Sequence, residues 1–296
     1  MSDSSATASD DAAHMRRALA LAERGWGQTA PNPMVGAVVV ARGVTVGEGF
    51  HARYGEAHAE VVALRAAGDS ARGATLHVSL EPCVHFGQTP PCVGAIVAAG
   101  VERVVIAALD PSDVARGGAD ALRAAGIRVD VGPAQSAALE LNAPFYNAHA
   151  SDRPWVTLKL ALSADGAIAD PTGVHRWITG DAARKEVHRR RANADAIAVG
   201  IGTVLADDPA LTVRDAPEPR VPPRRVVFDS TLRIPLESTL VATARDVPTT
   251  IITAPEPLGV RAGNLEAAGV RVRRATSLRG ALTMLRADEV RSLFVE

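Results

Sequence analysis

One imidazole, two thiols and one carboxylate stand out in this sequence, because together they can hold a metal ion and move a proton beside it. His58 and Glu60 lie in a His-Ala-Glu sequence, and the two cysteines of the chain, Cys83 and Cys92, each follow a proline. An imidazole and two thiolates are good ligands for tetrahedral zinc, and they leave a fourth position open, as a catalytic site requires. A carboxylate close to the metal can pass a proton from water to a leaving nitrogen. The residues therefore predict a catalytic zinc site with Glu60 as the proton shuttle.

The order of these residues is that of zinc deaminases, in which His-x-Glu precedes Pro-Cys-x-x-Cys. Here residues 84–91 separate the two cysteines, so the second motif contains an insertion. Two other interpretations stay open. The four residues can be ordinary core and surface residues, or the zinc can be purely structural, with His77 or His85 as a fourth ligand.

Charge and hydropathy exclude several classes of protein. Lys and Arg number 32 and Asp and Glu 33, which gives a net charge of −1 and argues against binding to nucleic acid or membranes by bulk charge. No stretch approaches the roughly 18 apolar residues of a membrane span. The first residues contain no secretory signal, and two cysteines make no disulfide framework, so we expect a cytoplasmic protein. The length of 296 residues suggests two domains.

Strands and helices alternate in the first half of the sequence. Residues 1–10 are predicted to be a disordered tail, with a first helix beginning at Ser9 or Asp10. Apolar runs then predict strands at Val35–Val40, Thr45–Gly49, Thr75–Leu80, Val101–Leu109 and Ile127–Val131, and helices at Ala57–Ala67, Cys92–Ala99 and Ala119–Ala125. This alternation indicates a mainly parallel sheet covered by helices. Cys92 then begins a helix, whose positive end lowers the pKa of a thiol.

A second alternation follows residues 144–154, which are predicted to break the pattern at Pro144 and Pro154. The predicted domains are a tail at 1–10, a first domain at 11–147 and a second at 148–296. In the second domain, strands are predicted at Trp155–Leu162, Ala196–Val199, Val226–Phe228, Thr250–Thr253, Val270–Val272 and Leu293–Glu296. Helices are predicted at Asp181–Ala192, Leu258–Ala268 and Leu278–Ala287. The proline-rich residues 216–224 are predicted to be a loop.

Longer blocks of sequence resemble one family. The blocks in the first half are Pro31-Asn-Pro-Met-Val-Gly36, residues 47–60 and residues 81–92, and those in the second half are residues 158–166, Trp177-Ile-Thr-Gly180 and residues 202–214. Together they are similar to the bifunctional riboflavin-biosynthesis deaminase/reductase family, the RibD family, from about Met15 to Glu296. The resemblance implies an α/β protein in which a cytidine-deaminase-like three-layer domain precedes a dihydrofolate-reductase-like domain.

The resemblance also implies two reactions. The first is zinc-dependent hydrolytic deamination of 2,5-diamino-6-(5-phosphoribosylamino)pyrimidin-4-one, and the second is reduction of the ribosyl side chain to ribityl by NADPH. It implies that His58, Cys83 and Cys92 bind Zn²⁺ and that Glu60 shuttles the proton. Asn32, His51 and His85 are implied to contact the deaminase substrate.

For the second reaction the resemblance implies two further sets of residues. Cofactor contacts map to Leu162, Trp177, Thr203, Asp207 and Ser230. Substrate contacts map to His175, Arg191, Leu211, Arg214 and Glu296. Arginine forks suit phosphate oxygens, so Arg191 and Arg214 are expected to hold the sugar phosphate. The family continues beyond the position of Glu296, so we expect the second domain to lack its last strands and its reductase step to be weakened.

Alternative functions differ in class. One is a zinc deaminase that acts on another free base or nucleoside, and the other is a non-catalytic binding module stabilised by zinc. The expected partner is a small phosphoribosylaminopyrimidine, with no nucleic acid and no membrane, and family similarity suggests a homodimer.

Overall fold

Two α/β sheets, one in each half of the chain, organise the protein. The computed structural model describes residues 4–168, 178–255 and 259–296. For residues 4–9 it describes only the backbone. The chain forms two compact units, Met1–His149 and Ala150–Glu296. Two of the residues that the resemblance implied for the reductase, His175 and Trp177, lie outside the described residues. No helix in the described ranges has the length and apolarity that crossing a membrane requires.

The first unit contains five strands and six α-helices within the described residues. In chain order they are α1 (Ser4–Ala22), β1 (Gly36–Ala41), β2 (Val44–Phe50), α2 (Ala59–Ala67), β3 (Thr75–Val78), α3 (Cys92–Ala99), β4 (Arg103–Ile106), α4 (Gly118–Ala124), β5 (Arg128–Val131), α5 (Gln135–Leu141) and α6 (Ala143–Ala150). The sheet order is β2-β1-β3-β4-β5. Strand β1 is antiparallel to both neighbours, whereas β3, β4 and β5 are parallel, so the sheet is mixed rather than mainly parallel.

Alternating side chains of the first sheet pack into two cores. Val39 joins the core that contains residues of α2, α3 and α4, and its neighbour Val38 joins the core that contains residues of α1 and α5. Successive side chains of a strand point to opposite faces, so both faces of this sheet are covered by helices. The unit is therefore the three-layer domain that the resemblance implied.

Glycines in β2 allow α2 to lie directly against the sheet. A Cβ atom on Gly49 would lie 2.5 Å from the carbonyl oxygen of Ala59, and one on Gly47 would lie 2.3 Å from that of Ala63. Neither distance is compatible with a side chain, so the first turn of α2 can pack at this depth only because both residues are glycine. This turn contains Glu60 and directly follows His58.

A buried ionic group, which we call the Asp11 cluster, connects α1 to the sheet. Arg103 donates to both carboxylate oxygens of Asp11, at 2.8 and 2.6 Å, and also to Asp130 at 2.6 Å. The Nε2 atom of His77 lies 3.0 Å from Asp11, and its ring lies 5.0 Å from that of His14. Burial raises the pKa of Asp11, but the hydrogen bonds from Arg103 and His77 outweigh it and leave that pKa below its ordinary value.

The second unit contains a six-stranded sheet. Its elements are β6 (Trp155–Leu158), α7 (Asp181–Arg191), β7 (Ala196–Gly200), α8 (Ile201–Asp207), β8 (Arg224–Phe228), α9 (Thr239–Ala242), β9 (Thr249–Thr253), α10 (Gly259–Ala267), β10 (Arg271–Arg274), α11 (Leu278–Ala287) and β11 (Ser292–Val295). The order is β10-β9-β8-β7-β11-β6, and every pair of neighbours is parallel. The runs of Val, Ile and Ala in its central strands are typical of parallel strands buried on both faces.

The helices differ from the prediction in three respects. Helix α1 already begins at Ser4, so residues 4–10 lie in a helix and not in a disordered tail, because no proline or glycine interrupts this alanine-rich segment. Helix α6 includes Pro144, which was predicted to break the pattern. A proline in the first turn is tolerated because the N–H group that it lacks has no intrahelical partner there. The short helices α5, α8 and α9 were not predicted.

Candidate functional sites

Three potential metal ligands meet at the carboxyl end of the parallel strands in the first unit. Cys83 lies in the loop after β3, Cys92 is the first residue of α3, and His58 is the N-cap residue of α2. One nitrogen or sulfur atom from each lies within 4.8 Å of the others. Segments that are distant in sequence thus place their ligand atoms together, as the residue pattern predicted.

The ring of His58 faces the two sulfur atoms with Nδ1. This atom lies 3.1 Å from Sγ of Cys92 and 3.6 Å from Sγ of Cys83. The other ring nitrogen, Nε2, lies 3.3 Å from Oγ1 of Thr89. A hydrogen bond from Nε2–H to Thr89 would hold the tautomer in which Nδ1 is free to bind a metal. Thr89 was not predicted, since a threonine in an irregular loop has no distinguishing sequence signal.

The electrostatics of the two cysteines favour a thiolate at the centre. A hydrogen bond from the side chain of Cys92, supported by the backbone N–H of Cys92, holds the pKa of Cys83 well below its usual range. The pKa of Cys92 is raised, chiefly because it shares a hydrogen bond with the ionised Cys83 sulfur. The backbone N–H of Cys92, at the start of α3, also donates to Cys83 at 3.4 Å. Soft sulfur ligands and one imidazole fit zinc.

The described residues supply three ligands to this centre and no fourth. His77, one candidate for a fourth ligand, belongs to the Asp11 cluster. His85, the other candidate, is not part of the ligand group within the described ranges. This arrangement is that of a catalytic zinc site, in which one coordination position is open, and it disfavours the structural interpretation.

Glu60 lies beside the ligands and is only 3% exposed. Burial is the main reason why its pKa lies above the ordinary value, and its carboxyl group shares a hydrogen bond with Cys92. Because its pKa is raised, the neutral and ionised forms of Glu60 are closer in energy at neutral pH than those of an exposed carboxyl group. Such a group is suited both to accept and to donate a proton.

Two of the three predicted substrate residues lie together next to the metal ligands. The Nδ2 atom of Asn32 is 3.2 Å from Nε2 of His51, and the His51 ring lies edge-on to that of His58 with centroids 5.4 Å apart. The backbone carbonyl of Ala57 is 3.2 Å from Nδ1 of His51. His85 lies in the 84–91 loop, where its Nδ1 atom is buried without a hydrogen-bond partner in the described part of the chain.

Glu81, two residues before Cys83, connects the loop of that cysteine to the segment between Asp110 and Ala119. Its carboxylate accepts backbone N–H groups of Asp110 at 3.0 Å, Gly117 at 3.2 Å and Ala119 at 2.9 Å. A Cβ atom on Gly118 would lie 1.8 Å from the carbonyl oxygen of Pro82, so the backbone at the start of α4 contacts the backbone of the loop that contains Cys83. Glu81 belongs to a Glu-Pro-Cys sequence, but its role was not predicted, because its partners are backbone groups far along the chain.

In the second unit, the implied cofactor residues lie near the carboxyl ends of the parallel strands. Leu162 follows β6, Thr203 lies in the first turn of α8, Asp207 ends α8, and Ser230 follows β8. This edge is where open α/β sheets bind nucleotides. Cβ atoms on Gly200 and Gly202 would meet nothing within 4 Å, so open space lies beside the backbone at the start of α8. An open edge of this kind fits NADPH, the cofactor that the resemblance implies.

Arg191 and Glu296 form an ion pair at the same edge. The guanidinium donates to both carboxylate oxygens, at 2.5 and 2.9 Å, and to the carbonyl oxygen of Thr212 at 2.9 Å. Arg191 was expected to hold a phosphate, yet much of its donor fork is taken by Glu296. Lys159, which was not predicted, lies 3.9 Å from Glu296. Its position directly after β6, inside one of the resembling blocks, is the signal that could have identified it.

The segment with the remaining implied substrate residues has a constrained backbone. Asp208, Leu211 and Asp215 have φ values of 39°, 48° and 52°, which non-glycine residues rarely adopt. Leu211 is buried, whereas Arg214 is exposed and donates its backbone N–H to Nδ1 of His188 at 3.1 Å. Such backbone strain persists only where the surroundings hold it, and it is frequent at binding sites.

Comparison with family models divides the chain in the same way. Residues 8–108 match the cytidine and deoxycytidylate deaminase zinc-binding region, and residues 154–296 match the RibD C-terminal domain. The chain is 45% identical over 289 residues to the riboflavin biosynthesis protein RibD of Aquifex aeolicus, covering 97% of this chain and 80% of that protein. It is 46% identical over 260 residues to RibD of Bacillus amyloliquefaciens, covering 88% and 70%, respectively.

Solved structures show the same likeness over nearly the whole chain. RibD of Acinetobacter baumannii superposes with a TM-score of 0.81 at 38% identity, covering 98% of this chain and 81% of that one. The diaminohydroxyphosphoribosylaminopyrimidine deaminase/5-amino-6-(5-phosphoribosylamino)uracil reductase of Thermotoga maritima gives 0.83 at 36% identity, with the same coverage. Both halves of this chain therefore have counterparts in single, two-domain proteins.

Replacing Glu81 by Gln tests its part in holding the centre. The amide keeps one oxygen acceptor but presents N–H groups where a carboxylate oxygen accepted a backbone N–H. We expect a loss of about 2 kcal/mol in the free energy of unfolding, the typical value for hydrogen bonds to a charged group. Urea denaturation of the zinc-loaded protein measures it. An unchanged midpoint would show that the three amides do not depend on the charge.

Proposed function

Because the chain belongs to the RibD family, whose members are bifunctional deaminases and reductases of riboflavin biosynthesis, we propose that its metal centre deaminates 2,5-diamino-6-(5-phosphoribosylamino)pyrimidin-4-one. The observation that supports this most directly is the gathering of three ligand atoms within 4.8 Å beside a buried carboxyl group. A deaminase of another base and a non-catalytic zinc module are less well supported, since the second half also matches the reductase domain of this family.

His58, Cys83 and Cys92 would hold the zinc ion. When bound, zinc supplies Lewis acidity that makes a nucleophile available from water at neutral pH. The helix N-termini at α2 and α3 favour the negative charge of the thiolates. Thr89 fixes the orientation of the imidazole through its remaining nitrogen.

Glu60 moves the proton between the attacking water and the leaving group. Its carboxylate takes a proton as the water oxygen bonds to the pyrimidine carbon that bears the 2-amino group. The carboxyl group then delivers that proton to the amino nitrogen, and the bond from carbon to nitrogen breaks with release of ammonia. Burial of Glu60 lowers the energetic gap between its two protonation states and keeps bulk water away from the exchange.

Asn32 and His51 recognise the edge of the pyrimidine. Their side-chain nitrogens are 3.2 Å apart, so one substrate group can contact both. An asparagine amide offers a donor and an acceptor, which matches the alternating pattern on the edge of an aminopyrimidinone. His85, in the loop between the cysteines, is proposed as a further substrate contact.

The second unit would reduce the ribosyl side chain. NADPH, when bound, supplies the hydride. Leu162, Thr203, Asp207 and Ser230 are proposed to contact the cofactor, along the edge where Gly200 and Gly202 leave the backbone accessible. Arg191, Leu211, Arg214 and Glu296 are proposed to contact the substrate. Arg191 also donates to the carbonyl oxygen of Thr212, the residue that follows Leu211. His175 and Trp177 are proposed for the same site from the resemblance alone.

Self-association and compartment are further parts of the proposal. Strand β6 lies at the edge of its sheet and exposes Trp155, Val156 and Leu158. Edge strands with exposed apolar side chains are surfaces on which a second copy can pair, and the commonest homo-oligomer is a two-fold dimer. We therefore propose a homodimer through β6.

Free, buried cysteines that bind a metal suit a reducing cytoplasm, which is the compartment proposed for this protein.

Exchange of Glu60 for Gln tests the deaminase. The amide cannot take a proton from water, so we expect ammonia release to fall roughly 100- to 10,000-fold while one zinc per chain is retained. Ammonia is measured with glutamate dehydrogenase and zinc by atomic absorption. Cys83→Ala is the contrasting variant and should lose both zinc and activity. Undiminished ammonia release by Glu60→Gln would refute the assigned proton shuttle.

Exchange of Arg191 for Lys tests the reductase. Lysine keeps the charge but cannot make the two parallel hydrogen bonds to Glu296. We expect kcat/KM for NADPH oxidation with the deaminated substrate to fall roughly 10- to 100-fold, which corresponds to loss of about 1.5–3 kcal/mol. Ammonia release is the internal control and should not change. Equal loss in both reactions would contradict a role confined to the second unit.

Exchange of Val156 for Lys tests the dimer. A charge on each copy of the edge strand would repel its neighbour, so the sedimentation coefficient should change from that of a dimer to that of a monomer. Val260→Lys, at an exposed position of α10, is a matched control. A dimer that persists in the Val156 variant would place the interface elsewhere.

A further inference from the structure

We propose that Asn142 is a positioning residue for the deaminase: its side chain fixes the backbone at Met34 and thereby the Asn32 amide in the substrate pocket. The inference rests on the proposed function, because it needs Asn32 to contact the pyrimidine. Asn142 lies between α5 and α6, far along the chain from the metal ligands, and none of its hydrogen bonds reaches them.

The contact between Asn142 and Met34 uses both halves of an amide. Oδ1 of Asn142 accepts the N–H of Met34 at 2.8 Å, and Nδ2 donates to the C=O of Met34 at 2.9 Å. Asn142 is only 4% exposed, and Met34 is buried as well. Buried backbone groups need hydrogen-bond partners, so removal of this side chain would leave both of them unsatisfied. Among side chains of its size, only asparagine combines the required donor and acceptor.

The position of Met34 determines that of Asn32 because the segment between them is stiff. Pro31 and Pro33 flank Asn32, and each fixes its own φ angle. The backbone N–H of Asn32 donates to the carbonyl oxygen of Thr29 at 2.9 Å. With few free torsions left, a displacement at Met34 is transmitted to the Asn32 side chain, and so to its 3.2 Å contact with His51.

The segment where α5 meets α6 also contacts the backbone next to Asp110, a partner of Glu81. Tyr146, one helical turn beyond Asn142, donates its hydroxyl to the carbonyl oxygen of Leu109 at 3.0 Å. The next residue, Asp110, donates its N–H to Glu81. Side chains where α5 meets α6 therefore hold two backbone segments beside the metal centre, one through Asn142 and Met34 and the other through Tyr146 and Leu109.

The test begins with the full-length, zinc-loaded Asn142→Asp variant. Aspartate keeps the size and the acceptor for Met34 N–H but loses the donor to its C=O. We expect kcat/KM for deamination to fall roughly 10- to 100-fold, because small displacements of a substrate-contacting group cost that much. Zinc content and NADPH oxidation with the deaminated substrate should not change. Glu140→Gln, at an exposed position of α5, is the matched control and should behave like the unmodified protein.

A double-mutant cycle with Asn32→Ala separates positioning from general stability. If Asn142 acts through Asn32, then adding Asn142→Asp to Asn32→Ala should cost less than about twofold in kcat/KM. Full additivity of the two losses would overturn the proposal, as would loss of zinc or of reductase activity in Asn142→Asp. If this variant does not fold, Asn142→Ser takes its place in the same cycle.

The outcomes also distinguish this inference from the proposed function. No effect of Asn32→Ala on deamination would refute the assigned substrate contact, and with it the role of Asn142. A large effect of Asn32→Ala together with wild-type activity of the Asn142 variants would refute only the positioning role. Non-additive losses with intact zinc and reductase activity would establish both.

Discussion

Backbone-to-backbone contact, possible only at glycine, sets the distances between the segments that hold the three metal ligands. On one side, Gly47 and Gly49 let α2 lie against β2, so that His58 and Glu60 reach the centre. On the other side, Gly118 lies so close to Pro82 that no side chain fits between them. The three ligand atoms lie within 4.8 Å of one another, so a small shift of a segment that carries one of them would separate the atoms. Each of these backbone contacts fixes the position of one such segment.

Much of the metal centre could be predicted from sequence because its signal is chemical and local. Two cysteines after prolines and a His-Ala-Glu sequence identify ligands by residue type, and helical spacing correctly placed Cys92 at the start of a helix. The residues that hold the ligands were missed for the opposite reason. Glu81, Thr89 and Asn142 have long-range partners, often backbone groups, and no spacing along the chain reveals such pairs.

The strand directions of the first sheet and the burial of single residues at the second site could not be predicted from the sequence pattern. Alternation of strands and helices predicted an α/β sheet in each unit, but it could not show that β1 runs antiparallel to its neighbours in the first. In the arginine run of α7, charge alone could not separate a buried residue from exposed ones. The structure does so, since Arg191 pairs with Glu296 while Arg189 and Arg190 pair with Glu186 on their own helix.

The Asp11 cluster bears on how the protein can be shortened or fused at its amino end. An expression variant that starts beyond Asp11 would leave the guanidinium of Arg103 with Asp130 alone, and the imidazole of His77 without its acid, inside a closed interior. Removing one member of a buried ionic group typically costs about 3–5 kcal/mol, a large part of the stability of a domain. Trimming this helix would thus weaken the far face of the sheet whose other face supports the zinc ligands.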